Sequence, residues 1–95
     1  MELNTYVIYD IEDDRIRYRI SEICKDYGLE RIQYSAFFGL LSKNRREELF
    51  LKLSRIIKNK KGKIIIQPVC EKDAKEVKII INELENQHRI NDDET

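Results

Sequence analysis

Between Leu3 and Ile11 the chain reads LNTYVIYDI, a run of β-branched and aromatic residues that is apolar at both parities of a strand. Tyr6, Ile8 and Asp10 fall on one side of such a strand, and Val7, Tyr9 and Ile11 on the other. Neither side is made for water, so whatever this chain folds into must cover the strand on both faces. With 95 residues there is room for one core and not for a second independent one. One covering layer must therefore come from this chain's own helices, and the other from elsewhere.

The following segments supply the helices. Glu12-Asp13-Asp14 offers N-cap candidates, and Ile16, Ile20, Ile23, Cys24 and Tyr27 follow at helical spacing, with Gly28 as the stop signal. Leu29 to Leu41 (LERIQYSAFFGLL) leans to β again and fits one long bent strand or a tight hairpin. Ser42 can cap a second helix, with an apolar set of Leu49, Phe50, Leu53, Ile56 and Ile57, ending near Lys58. Asn59 to Gly62 is a turn, and Lys63 to Val69 (KIIIQPV) is a second buried strand whose Pro68 marks its end as near a sheet edge. After Cys70, EKDAKEV favours a helical turn and Val77 to Leu84 reads as a late strand. Residues 85–95 have nothing to bury and read as a frayed polar tail in which His88 has no specific role, leaving 1–84 as the single domain.

This order predicts an α+β fold of the ferredoxin-like, split βαβ kind: an antiparallel sheet with two helices on one face. The other face would be closed by sheet-to-sheet packing in a homodimer, the late strand pairing with the partner's sheet edge. A monomer with its tail folded back is the alternative.

Composition narrows function. At 41% hydrophobic and 38% charged residues the chain is too apolar for disorder. Its apolar runs fall far short of the ~18 residues a membrane span needs. No basic leader followed by an apolar stretch opens the sequence, so a cytoplasmic protein is expected. Cys24 and Cys70 lack a CxxC spacing and are expected to be reduced and buried. Glycine-rich phosphate loops, GxSxG, HExxH and Cys/His clusters do not occur, which removes nucleotide-fingerprint, protease and zinc readings.

The 18 basic and 18 acidic residues cancel overall but not locally. Lys43 to Lys63 holds nine basic residues against Glu47 and Glu48, a net of +7. Arg45, Arg46, Lys52, Arg55, Lys58, Lys60, Lys61 and Lys63 could face phosphates, or they could be the solvated side of an amphipathic helix and its turn. Asp10, a carboxylate at the end of an apolar strand, is expected to be poorly solvated. With Asp13 and Asp14 nearby it suits a hard divalent cation, which takes one or two carboxylates plus waters and phosphates; the same residues also suit turn and helix caps. Tyr9, Tyr34 and Phe37 could stack on bases, although strand aromatics more often fill cores.

Together, YDIEDDRIR (Tyr9 to Arg17), YGLERIQYSAFFG (Tyr27 to Gly39) and PVC (Pro68 to Cys70) resemble the small CRISPR-associated endonuclease family, the second protein of the CRISPR adaptation pair. The resemblance runs from about Thr5 to the late strand. It implies a ferredoxin-like homodimer in which strand-one aspartates approach each other across the interface, Asp10 standing at that catalytic and metal-binding position. It also implies a Mg²⁺-dependent nuclease, with Mn²⁺ as a substitute, acting on single-stranded RNA or double-stranded DNA. Such proteins bridge two dimers of the CRISPR integrase during spacer acquisition. By motif, Asp13, Asp14, Arg15, Arg17, Arg31, Gln33, Ser35 and Phe37 take supporting roles. Ile16 and Phe38 depart from the pattern, standing where a basic and an acidic residue are common. Two other readings compete with the nuclease: a non-catalytic scaffold that clamps duplex backbone and bridges integrase dimers, and a toxin or regulatory protein on the same fold.

Overall fold

A computed structural model describes residues 1–82 of the chain. Strand β1 (Glu2–Ile11) leads through Asp13 into helix α1 (Asp14–Asp26). The short strand β2 (Glu30–Gln33) and strand β3 (Ala36–Ser42) form the hairpin alternative for the second β-leaning run. Helix α2 (Lys43–Ile57), strand β4 (Gly62–Val69) and one helical turn, α3 (Glu71–Ala74), follow.

Local chemistry sets these boundaries. The Asp13 carboxylate accepts from the Ile16 amide at 3.0 Å and caps α1, while Gly28 takes the left-handed φ of 81° that ends it. Ser42 Oγ accepts from the Arg45 amide at 3.2 Å and caps α2. That helix closes at Lys58, which adopts a φ of 45° without the freedom of a glycine.

The sheet order is β2-β3-β1-β4, antiparallel throughout, which is the ferredoxin-like arrangement. β1 is central, pairing along Glu2–Ile8 with β3 and along Asn4–Ile11 with β4. Thr5, Val7, Tyr9 and Ile11 lie buried beneath the helices, with Phe37 and Leu41 of β3. Ile16, Ile20 and Cys24 of α1 and Leu49 and Leu53 of α2 complete this core. Both helices thus cover the same face, as expected. Burial pushes the Cys24 thiol up to about 12.

The opposite face lacks a cover among the described residues. Ile8 and Ile65 are each 44% exposed and Leu40 is 56% exposed, while the Tyr6 and Phe38 rings pack at 4.7 Å on the same side. Phe38 thus adds to an apolar surface where the resemblance led to an acidic residue, and Ile16 is a core residue.

Three expectations need correction. Cys70 is exposed, because it caps α3, its Sγ accepting from the Asp73 amide at 3.4 Å. Phe50 points outward at 59% exposure, since Leu49 and Leu53 already fill the α2 contact with the core. Residues 77–82 carry no strand, and Ile79, Ile80 and Ile81 are all exposed, unpaired with either edge of the sheet. The last two residues of that expected strand and the expected tail lie outside the described residues.

Leu53→Ala leaves a cavity where α2 meets the sheet and is expected to lower unfolding free energy by about 2–5 kcal/mol in denaturant titrations, with the slope unchanged.

Candidate active site and nucleic-acid surface

The antiparallel pairing stops on one side of β1 before it stops on the other. β3 accompanies β1 only as far as Ile8, whereas β4 continues to Ile11, so Asp10 has a neighbour on one side alone, Lys63. Cross-strand partners share a face, and Asp10 with Lys63 therefore ends the apolar surface of Tyr6, Ile8 and Ile65. A cleft of about 210 Å³ opens there, lined by Asp10, Glu12, Lys61, Gly62 and Lys63. Asp10 is exposed, contrary to the burial expected of it, because among the described residues no layer covers its face of the sheet.

The donor set fits a hard cation in kind but not in number. Among the described residues no group of three or more His, Cys, Asp or Glu side chains converges. One chain brings the Asp10 carboxylate, the oxygen donor Mg²⁺ prefers; further donors must come from a second copy, from water or from phosphate.

On the helix side of β1, back to back with Asp10, lies a second polar group. Arg17 reaches from α1 to the Ile11 carbonyl at 2.7 Å and the Glu12 carbonyl at 3.2 Å, and pairs with Asp14. This guanidinium pins the strand-to-helix turn, which gives Arg17 and Asp14 a structural task. Its Cζ lies 5.3 Å from the Tyr34 ring centre. Arg31 donates to the Tyr34 carbonyl and lies 4.9 Å over the Phe37 ring, itself stacked on Tyr9 at 6.4 Å. The Tyr9 hydroxyl is buried with no hydrogen-bond partner, a state costing about 1–3 kcal/mol. Burial raises its pKa, opposed by the charges of Arg31 and Arg17.

The remaining expected residues separate. Asp13 is a helix cap, the Ile16 amide holding its carboxyl below the usual range. Ser35 acts through its carbonyl, which accepts from the Tyr9 amide at 3.0 Å. Phe37 is fully buried core, Gln33 stands exposed at the β2–β3 register shift, and Arg15 is exposed in the first turn of α1. The basic stretch does not make one stripe. Arg45 and Lys52 sit over the Tyr27 ring at 4.2 and 5.1 Å, and Tyr27 donates to Glu48 at 3.1 Å. Arg46 turns the other way to the Leu41 carbonyl, at 2.9 Å. Arg55, Lys58 and Lys60 are exposed at the end of α2 and the turn after it, and Lys61 and Lys63 reach the Asp10 cleft. Sequence reasoning missed Glu12 as a cleft residue, although its i, i+2 spacing from Asp10 was a signal. Tyr27 was read as core, and nothing in the sequence marked it as a seat for two cations.

The class defined by these features is a ferredoxin-like α+β domain with an uncovered apolar sheet face ending in a single carboxylate. Residues 4–77 match the family model described as CRISPR associated protein Cas2, and the chain belongs to that family. It is 53% identical, over 82% of its length and 74% of the relative's, to a CRISPR-associated endoribonuclease Cas2 of Desulforudis audaxviator. A similarly named protein of Archaeoglobus fulgidus is 37% identical over 80% of this chain and 81% of that one. The crystal structure of Streptococcus pyogenes Cas2 superposes with a TM-score of 0.70 at 20% identity, covering 82% of this chain and 99% of that one, a likeness of fold.

Asp13→Ala is expected to lower stability at pH 7. Because the native pKa of Asp13 is depressed, its contribution is present above about pH 4 and lost as pH falls, so the gap between variant and parent should close on acidification. Denaturant midpoints measured from pH 7 to pH 2.5 check this.

Proposed function

We propose that the protein is a metal-dependent endonuclease of the CRISPR adaptation machinery, working as a homodimer on single-stranded RNA or double-stranded DNA together with the integrase. The observation that carries this reading is the position of Asp10: an exposed carboxylate at the rim of an apolar sheet face that nothing among the described residues covers. A second copy packed on that face would hide Ile8, Ile65, Leu40 and Phe38 and bring its own Asp10 toward the first. The exposed run Ile79-Ile80-Ile81 is suited to add to the free edge of the copy's β4. Relatives named endoribonucleases support the reaction type.

In this reading the Asp10 carboxylates of two copies would hold Mg²⁺ or Mn²⁺, and the chemistry such an ion would supply there is activation of water and neutralisation of charge on the scissile phosphate. Lys63 and Lys61 draw the phosphate into the cleft, and Glu12 limits how much anionic charge it accepts. Arg17 holds the turn that keeps Asp10 at the end of its strand.

A second reading is favoured by the dispersed cations. Arg45, Lys52, Arg55, Lys58 and Lys60 lie away from the cleft and suit backbone contact without cutting, as a scaffold bridging integrase dimers would need. A solved structure titled a partial Cas6-RT-Cas1–Cas2 complex contains a chain that resembles this fold, with a TM-score of 0.69 at 23% identity, covering 84% of this chain and 85% of that one, which supports partnership with an integrase.

Labelled single-stranded RNA and duplex DNA, each with Mg²⁺ or with EDTA, separate the two. The nuclease reading expects cleavage that EDTA abolishes and that Asp10→Ala slows by about 100-fold or more, the scale of losing a group that stabilises transition-state charge. Equal cleavage by the variant would leave the scaffold. The scaffold in turn expects duplex affinity to fall with salt on a log-log slope of roughly −3.6 if about four phosphates are neutralised, and a flat response excludes it.

A further inference from the structure

Two exposed tyrosines border one pocket. Tyr18 on α1 is 65% exposed and Tyr34 in the β2–β3 turn is 71% exposed, and both line a hollow of about 200 Å³ on the helix side of the sheet, with Asp14, Arg17 and Arg31. Neither ring belongs to the core. Tyr34 is nevertheless held in place. Its carbonyl accepts from Arg31, the carbonyl of Ser35 next to it accepts from the Tyr9 amide at 3.0 Å, and the Arg17 guanidinium lies 5.3 Å over one face of its ring. Arg17 is itself fixed by the Ile11 carbonyl at 2.7 Å and by Asp14. Among the described residues no second ring or cation packs on Tyr34, so the other face of its ring is open to solvent. A platform fixed in advance loses little freedom when a ligand stacks on it.

A ligand suited to this arrangement carries a flat ring for the tyrosines and an anionic attachment for the guanidiniums. Asp14 is the one acidic group in the lining against Arg17 and Arg31, which leaves the hollow with a net charge of about +1. An unpaired nucleobase on its sugar-phosphate chain has both features, whereas a base stacked inside a duplex offers no free face. We propose that this hollow seats one unpaired nucleobase, stacked on the open face of Tyr34 with the Arg17 cation behind it. Tyr18 forms a second wall, and Arg31, which gives one bond to the Tyr34 carbonyl, has further donors for the adjoining phosphate. Stacking reads no hydrogen-bonding edge, so the seat is tolerant of base identity. It also stays open when a second copy covers Ile8, Leu40 and Ile65, because it lies on the other side of the sheet. Asp10 projects from that other side as well, so the seat holds a base flanking the point of chemistry and not the nucleotide that is cut. That the stacked ring belongs to a nucleic acid rests on the proposed function.

The test uses the full chain in EDTA, so that cleavage is off and binding alone is read by fluorescence anisotropy. Three labelled probes are compared: a single-stranded RNA, an abasic ribose-phosphate chain of the same length, and a duplex DNA. The parent is expected to bind the RNA about 10-fold or more tightly than the abasic chain, the scale of stacking one base on an aromatic ring. Tyr34→Ala should weaken RNA binding by about 10-fold while leaving the abasic chain and the duplex within about twofold. The slope of RNA affinity against salt should stay the same, because no phosphate contact is removed. Tyr34→Phe keeps the ring face and should bind RNA like the parent. A Tyr34→Ala variant that binds RNA as the parent does, or that weakens on all three probes alike, would overturn the seat and leave the proposed function standing. So would a Tyr34→Phe variant that loses as much as Tyr34→Ala. A parent that binds none of the probes overturns both.

Discussion

The central position of β1 is the constraint on which the remaining structure depends. A strand hydrogen-bonded on both edges and apolar on both faces has no tolerance for water on any side. The two helices answer that requirement for Thr5, Val7, Tyr9 and Ile11. They also explain why α1 and α2 pack on the same layer: the crossover from β1 to the hairpin and from the hairpin to β4 must each return a helix to the face where those side chains point. What they leave behind is a surface of Tyr6, Ile8, Phe38, Leu40 and Ile65 that nothing among the described residues covers.

The unequal length of the two ladders along β1 then sets where chemistry can occur. Had β3 continued past Ala36, the end of β1 would be a sheet interior. Its departure into the Tyr34–Ser35 turn opens the strand end on both faces, giving Asp10 a cleft on one and Tyr9 a pocket on the other. Arg17 ties this region together through carbonyls of the same turn, so the cleft and the pocket share a support while facing opposite ways.

Most of the architecture was legible because it rests on periodicity and punctuation. Asp13, Ser42 and Gly62 stand within one residue of the observed boundaries of the elements they flank, and Gly28 within two. Asp10 could be singled out, since a charge in so apolar a run has few reasons to be there. Its solvation could not be read, because the sequence of one chain does not say which of its apolar surfaces a second layer covers. Cys70 failed for a related reason: residue type suggested burial, but its sulfur serves a helical turn at the surface. The basic stretch misled through its linear density. A helix distributes neighbouring cations around its axis, so Arg45 and Arg46, adjacent in sequence, engage Tyr27 and Leu41 in different directions.

The alternation of Tyr9 and Asp10 also bears on how the chain avoids misfolding. A slip of β1 by one residue against its neighbours would carry Asp10 beneath the helices and expel Val7 and Tyr9 from the core. The isoleucines of β4, consecutive and nearly interchangeable, would tolerate such a slip; the carboxylate would not, because burying it unpaired costs far more than the slipped ladder recovers. Asp10 therefore fixes the register of a strand whose other residues leave it ambiguous, and the group read as reactive is also the one that excludes the wrong pairing.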